Sequence, residues 1–241
     1  MIIECILELF VREILIPVKV CEVVARFSGQ IESIDRDGNY LPEMSELANL
    51  SDPESVALFW INRACDQFNC EIARECSSIS GDNESTVPPF LPSLEELSDM
   101  CDGCSIFGLI AFYCVNVVSW RSIVLKENIS IADSIHNLQK VQQFCLQYLP
   151  THICFLTLED FLYLPEPLIR NFLAFIADLL YVFEIQPVDC VQAPCLRVDY
   201  DSDYDRGLFF FCFYHLFYLF IYLFFIFCLL QHILKCQHHR K

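Results

Sequence analysis

From Ile2 to Phe27 the apolar side chains Ile6, Leu9, Phe10 and Ile14 recur in a helical rhythm. Pro17 interrupts it, and Val20, Val23, Val24 and Phe27 resume it, so two short helices are expected here. Residues 28–51 carry Gly29, Gly38, Asn39 and Pro42 and read as a connector. At Asp52-Pro53-Glu54 the signals for a helix start coincide: Asp can cap, Pro fits the first helical position, and Glu complements the dipole. That helix is expected from Pro53 to about Cys76. A Ser-, Gly- and Pro-rich stretch over 77–92 then predicts an exposed loop.

Three further helical patterns follow, over Leu94–Tyr113, Ser130–Leu149 and Pro167–Glu184. In the middle one Ile131, Ile135, Leu138, Val141, Cys145 and Leu149 form one apolar face. The last is apolar around most of its circumference, through Ile169, Phe172, Leu173, Phe175, Ile176, Leu179, Leu180 and Phe183, which marks a central buried helix. Asp102-Gly103 lies inside the first pattern at a cost in helix propensity, tolerable if Gly103 lets two helices approach closely. Thr157, followed by Glu159 and Asp160, reads as an N-cap with acids in the first turn. The fold class expected is therefore all-α, with four principal helices over 53–192.

Residues 208–230 differ in kind. These 23 positions hold nine Phe, three Tyr, six Leu, two Ile, two Cys and one His, with no charged side chain. As a helix at ~1.5 Å per residue they would extend about 35 Å, enough to cross a bilayer with some tilt. The expected organisation is thus an N-terminal helical region and connector (1–52), a helical domain (53–192), an acidic linker (193–206), a candidate transmembrane helix (208–230) and a short basic tail (231–241).

Charge narrows the choice of partner. Residues 1–206 carry 12 Lys and Arg against 32 Asp and Glu, a net charge of −20. Such a body repels nucleic acid, anionic headgroups and the acidic faces of filaments, and suits a basic partner segment. Fifteen cysteines scattered over helix-type apolar positions, without the regular spacing of a disulfide scaffold, point to a reducing compartment.

The block LPSLEELSDMCDGCSIFGLIAFYCVNVV (91–118), the Ile131–Ser134 helix start and the Leu156–Asp160 and Phe183–Pro187 motifs resemble the calponin-homology domain of the calmodulin-regulated spectrin-associated (CAMSAP/Patronin) family. Upstream, SVALFWINRA (55–64) is similar to that domain's opening Trp-Ile-Asn helix. The resemblance implies a calponin-homology fold and a non-catalytic interaction module of the cytoplasmic microtubule cytoskeleton, binding a protein partner. The coiled coils and C-terminal microtubule-binding domain of family members have no counterpart in this sequence, so minus-end recognition is not carried over. The family's single divergent domain does not imply direct actin binding. A rival reading is a tail-anchored membrane adaptor, held by 208–230 with the helical domain facing the cytosol.

No catalytic, cofactor or metal residues are assigned. Cys101 and Cys104 form an isolated CxxC without the second ligand pair that structural zinc requires. Asp35, Asp37, Asn39 and Glu46 match four positions of a calcium loop, but Tyr40 stands where its sharp turn needs Gly. Glu95/Glu96 and Glu159/Asp160 are sequence neighbours that point apart on a helix, and neither His136 nor His152 belongs to a hydrolase motif. Trp60 and Trp120 are both expected in the core.

Overall fold

The computed structural model describes residues 2–27, 49–79, 88–150 and 153–192. Among these residues every regular element is helical, as the sequence pattern requires. The predicted linker 193–206, the candidate transmembrane helix 208–230, the basic tail, the calcium-like loop, His152 and most of the 28–51 connector lie outside the described residues. Among the described residues no helix is long and apolar enough to cross a membrane.

Helices α1 (Ile2–Ile14) and α2 (Pro17–Ala25) form on either side of the expected break, with Pro17 at the first position of α2. α3 (Pro53–Ile79) starts where Asp52 accepts the Ser55 backbone N–H at 2.9 Å, and it runs three residues beyond Cys76 into the stretch predicted as loop. The Leu94–Tyr113 pattern is not one helix. It divides into a 3₁₀ segment, Leu97–Asp102, and α4 (Cys104–Tyr113), joined by Gly103 at φ 76°. That left-handed conformation is disfavoured for residues with a Cβ. An added Cβ would also stand 3.0 Å from the Leu138 backbone nitrogen and 3.1 Å from Asn137 Cβ, so Gly103 serves both the turn and the close packing.

α5 (Ile131–Tyr148) begins at Ser130, whose hydroxyl and the Asp133 carboxylate exchange bonds with each other's backbone N–H in a capping box. Thr157 and Asp160 repeat this device at α6 (Leu158–Tyr163), at 2.8 and 3.2 Å. α7 (Ile169–Leu180) follows a 3₁₀ turn at Glu166–Leu168 and widens into a π-helical turn at Tyr181–Ile185.

α7 is central, with α1 and α3 packed on it; α4 lies between α3 and α5. Phe161 meets Phe172 and Phe175 edge-on at centroid distances of 5.8 and 5.3 Å, which fastens α6 to α7. α4 is buried at every one of its ten residues, a second fully enclosed helix that the pattern did not separate from its neighbour. Of the six residues expected on the inward face of α5, Leu138, Val141, Cys145 and Leu149 are buried, and the N-terminal two are not. Ile131 is 66% exposed and Ile135 half-buried, while Ser134, Asn137, Leu138, Val141, Phe144 and Cys145 point inward. Asn137 joins the inward face because it has backbone to bind there. Phe27, just past α2, stacks edge-on against Phe112 at 5.1 Å, so the N-terminal helices share the core of the later ones.

Candidate functional site

The described residues hold two kinds of polar construction, one inside the helical unit and one on its surface. Inside, three asparagines on helices each bind one residue's backbone with both ends of the amide. Asn62 on α3 accepts from Leu94 N–H and donates to Leu94 C=O, at 2.8 and 2.9 Å. Seven residues on, Asn69 does the same to Leu91, at 2.8 and 3.0 Å. Because seven residues are almost two helical turns, both amides face the same way and hold the extended 91–94 segment along α3. Asn137 on α5, fully buried, grips Val124 at 2.9 and 3.1 Å and also donates to Cys104 Sγ at 3.2 Å. These amides satisfy backbone groups that no helix or sheet supplies with partners.

A second buried chain runs from Trp60 through Tyr113 and Glu184 to Arg26. Trp60 Nε1 donates to the Tyr113 hydroxyl at 3.1 Å, and that hydroxyl donates to Glu184 Oε1 at 2.6 Å. The Arg26 guanidinium pairs with Glu184 Oε2 at 2.8 Å. Glu184 belongs to the π-helical turn, whose extra residue per turn re-aims the side chains that follow α7. The chain therefore ties α2, α3, α4 and the end of α7 together. With one carboxylate, one phenol, one indole and one guanidinium locked on each other, it is a structural joint. Asp178, enclosed in the middle of α7, is a further buried acid; burial pushes its carboxyl well above the usual carboxylate range.

On the surface, Trp120 departs from the expected core position and is half-exposed. Its indole Nε1 donates to Glu75 Oε2 at 2.7 Å, and the Arg121 guanidinium sits 4.5 Å from the ring centroid while pairing with Glu75. The indole N–H, then Arg121, hold the Glu75 carboxyl below its ordinary value. Trp60, by contrast, is fully buried as predicted. Among the large exposed apolar side chains, Phe90 precedes the 3₁₀ segment, Val115 and Val117 share the turn after α4, Leu146 is on α5 and Tyr163 ends α6.

The groups considered for chemistry have structural employment. Burial raises the Cys101 thiol to about 11 and the Cys104 thiol to about 12, opposite to the activation of a reactive CxxC. Cys104 Sγ instead donates to Val124 C=O at 3.5 Å, beside Asn137. Asp99 accepts the backbone N–H groups of Glu95 and Glu96, at 2.8 and 3.0 Å, and His136 Nε2 bonds Ser122 C=O at 3.2 Å. Among the described residues no three His, Cys, Asp or Glu side chains are grouped to hold a metal ion. The asparagine grips and the Glu184 chain were missed from sequence. The available signal was Asn at helix-interior positions on otherwise inward faces.

Compared with known proteins, residues 82–165 match the CAMSAP CH domain family. Patronin of Drosophila melanogaster is 29% identical over 211 residues, which is 86% of this chain and 12% of that protein. Calmodulin-regulated spectrin-associated protein 2 of Mus musculus is 44% identical over 110 residues, 45% of this chain and 8% of that protein. Mouse calmodulin-regulated spectrin-associated protein 3 is 39% identical over 105 residues, 44% of this chain and 8% of that protein. The chain thus spans about a tenth of the length of the curated relatives it matches. No solved structure matches it. The matched segment contains the Gly103 joint, α4, the Asn137 grip and both capping boxes. With the all-helical fold around it, that match and the similarity to Patronin and the calmodulin-regulated spectrin-associated proteins identify a CAMSAP-type calponin-homology domain within this chain.

Proposed function

We propose that the chain is a non-catalytic interaction module of the cytoplasmic microtubule cytoskeleton, built on residues 53–192 with α1 and α2 docked on them, and that it recruits a protein partner through a basic segment. The observation that carries this reading is the family match over 82–165. The −20 charge of residues 1–206 supports the choice of a basic partner and opposes direct binding to acidic filaments. The polar groups inside the fold serve its joints, which leaves recognition to the acidic surface. Cosedimentation of the purified chain with microtubules and with actin filaments at low salt tests the charge argument. Little protein is expected in either pellet, and submicromolar binding to a bare filament would contradict it.

A second reading adds a membrane anchor, favoured by the 23 uncharged residues of 208–230. Under it, the chain in cells stays in the pellet after alkaline carbonate extraction. Recovery in the supernatant removes the anchor and leaves the interaction module standing.

A further inference from the structure

We propose that Cys114 and Cys190 form a reversible disulfide that fastens the chain leaving the helical unit to the end of α4. Their sulfurs lie 3.7 Å apart although the residues are 76 positions apart in sequence. Cys114 is the residue immediately after α4 and is fully buried; Cys190 is half-buried in the stretch that follows the π-helical turn. The backbone on both sides is already placed. Gln192 N–H donates to Tyr113 C=O at 2.8 Å, next to Cys114, and Val188 N–H donates to Val182 C=O at 3.1 Å. The sulfurs are thus already in contact between two backbone segments bonded to each other, and a disulfide brings them to ~2.05 Å.

Burial raises both thiols, so neither is a reactive thiolate by itself, and Cys190, the more accessible, meets an oxidant first. With glutathione disulfide as oxidant, the Cys190 thiolate attacks one glutathione sulfur and releases a glutathione thiolate, which takes up a proton. Cys114, giving its proton to solvent, then attacks Cys190 Sγ and expels the second glutathione. Two protein thiols are oxidised to one disulfide, and one glutathione disulfide is reduced to two glutathione thiols. The bond would close a loop containing α5, α6 and α7 and restrict the unfolded chain accordingly.

The test uses the full chain, equilibrated with glutathione mixtures of increasing oxidised fraction, acid-quenched, alkylated and mapped by peptide mass spectrometry. A Cys114–Cys190 peptide pair is expected, reversible by dithiothreitol, with Tm raised by roughly 5 °C or more. Cys190→Ser should lose both the linked pair and the rise in Tm. Three results would overturn the proposal: Cys190 remaining as the glutathione mixed disulfide, both thiols remaining alkylated throughout, or Cys114 linked to a different cysteine. Should Cys190→Ser fold poorly, the peptide map of the unsubstituted chain decides alone.

Discussion

Asn137 offers the sharpest test of how this fold is held. Its amide accepts from Val124 N–H at 2.9 Å, donates to Val124 C=O at 3.1 Å and reaches Cys104 Sγ at 3.2 Å, with none of the side chain exposed. Asn137→Ala removes all three bonds, leaves Val124 N–H without its acceptor and leaves Val124 C=O with only the weak Cys104 thiol donor at 3.5 Å. At about 1 kcal/mol for each backbone bond, with a further penalty for polar groups left buried and unpaired, the loss should be about 3–4 kcal/mol. That is a large fraction of the ~5–15 kcal/mol typical of a domain. Urea unfolding of the full chain followed by far-UV circular dichroism measures it, with an unchanged denaturant slope expected. Asn137→Asp is the informative partner. As a carboxylate it keeps one acceptor for Val124 N–H but sets a negative oxygen against Val124 C=O. As a neutral acid it can donate there and restore the amide's pattern. Its deficit relative to wild type should therefore shrink as pH falls toward the carboxyl range. A loss below about 1 kcal/mol for Asn137→Ala, or a pH-independent deficit for Asn137→Asp, would refute the reasoning.

Other substitutions probe separate parts of the fold. Gly103→Ala places a Cβ at φ 76° and 3.0 Å from a backbone nitrogen that α5 holds fixed; it should cost about 2–4 kcal/mol in the same assay, and a neutral effect would mean the joint is looser than described. Asp178 has a folded-state pKa above its unfolded one, so below the unfolded value it imposes no penalty, and above it the unfolded chain alone ionises and stability falls as pH rises. Asp178→Asn should therefore stabilise by an amount that is negligible in acid and grows through neutral pH, and a gain independent of pH would contradict this. Glu184→Ala leaves Arg26 and Tyr113 inside without their shared acceptor and should cost about 3–5 kcal/mol, measured by denaturant midpoint; wild-type stability would show the chain to be dispensable.

What could be read from sequence was set by local chemistry. Caps at Asp52 and Thr157, the break at Pro17 and the enclosed character of α7 all follow from residues acting on their immediate neighbours, and all are present. Asp102-Gly103 announced a departure from helix, but whether it ended one helix or only thinned it depended on α5 lying against Gly103, a contact 34 to 35 residues away in sequence. The N-terminal part of the α5 face was misjudged for a related reason, while Leu138, Val141, Cys145 and Leu149 are buried as expected. Counting apolar positions favours Ile131 and Ile135, whereas the bond that Asn137 makes to Val124 outweighs them and turns a polar side chain inward. Trp120 was assigned to the core by residue type, yet its indole N–H found Glu75 at the surface. No site residue was read from sequence; of the groups weighed there, the Asp160 carboxylate caps α6 and the His136 ring bonds the Ser122 carbonyl.

The central claim, that the folded calponin-homology unit recruits a protein of the microtubule cytoskeleton, is tested most directly by proximity labelling in cells. The full chain is compared with Phe175→Asp, which places a carboxylate in the enclosed centre of α7 and unfolds the unit. The account predicts that microtubule-associated proteins are enriched around the full chain and that Phe175→Asp loses them. Enrichment confined to membrane proteins and unchanged in Phe175→Asp would contradict it.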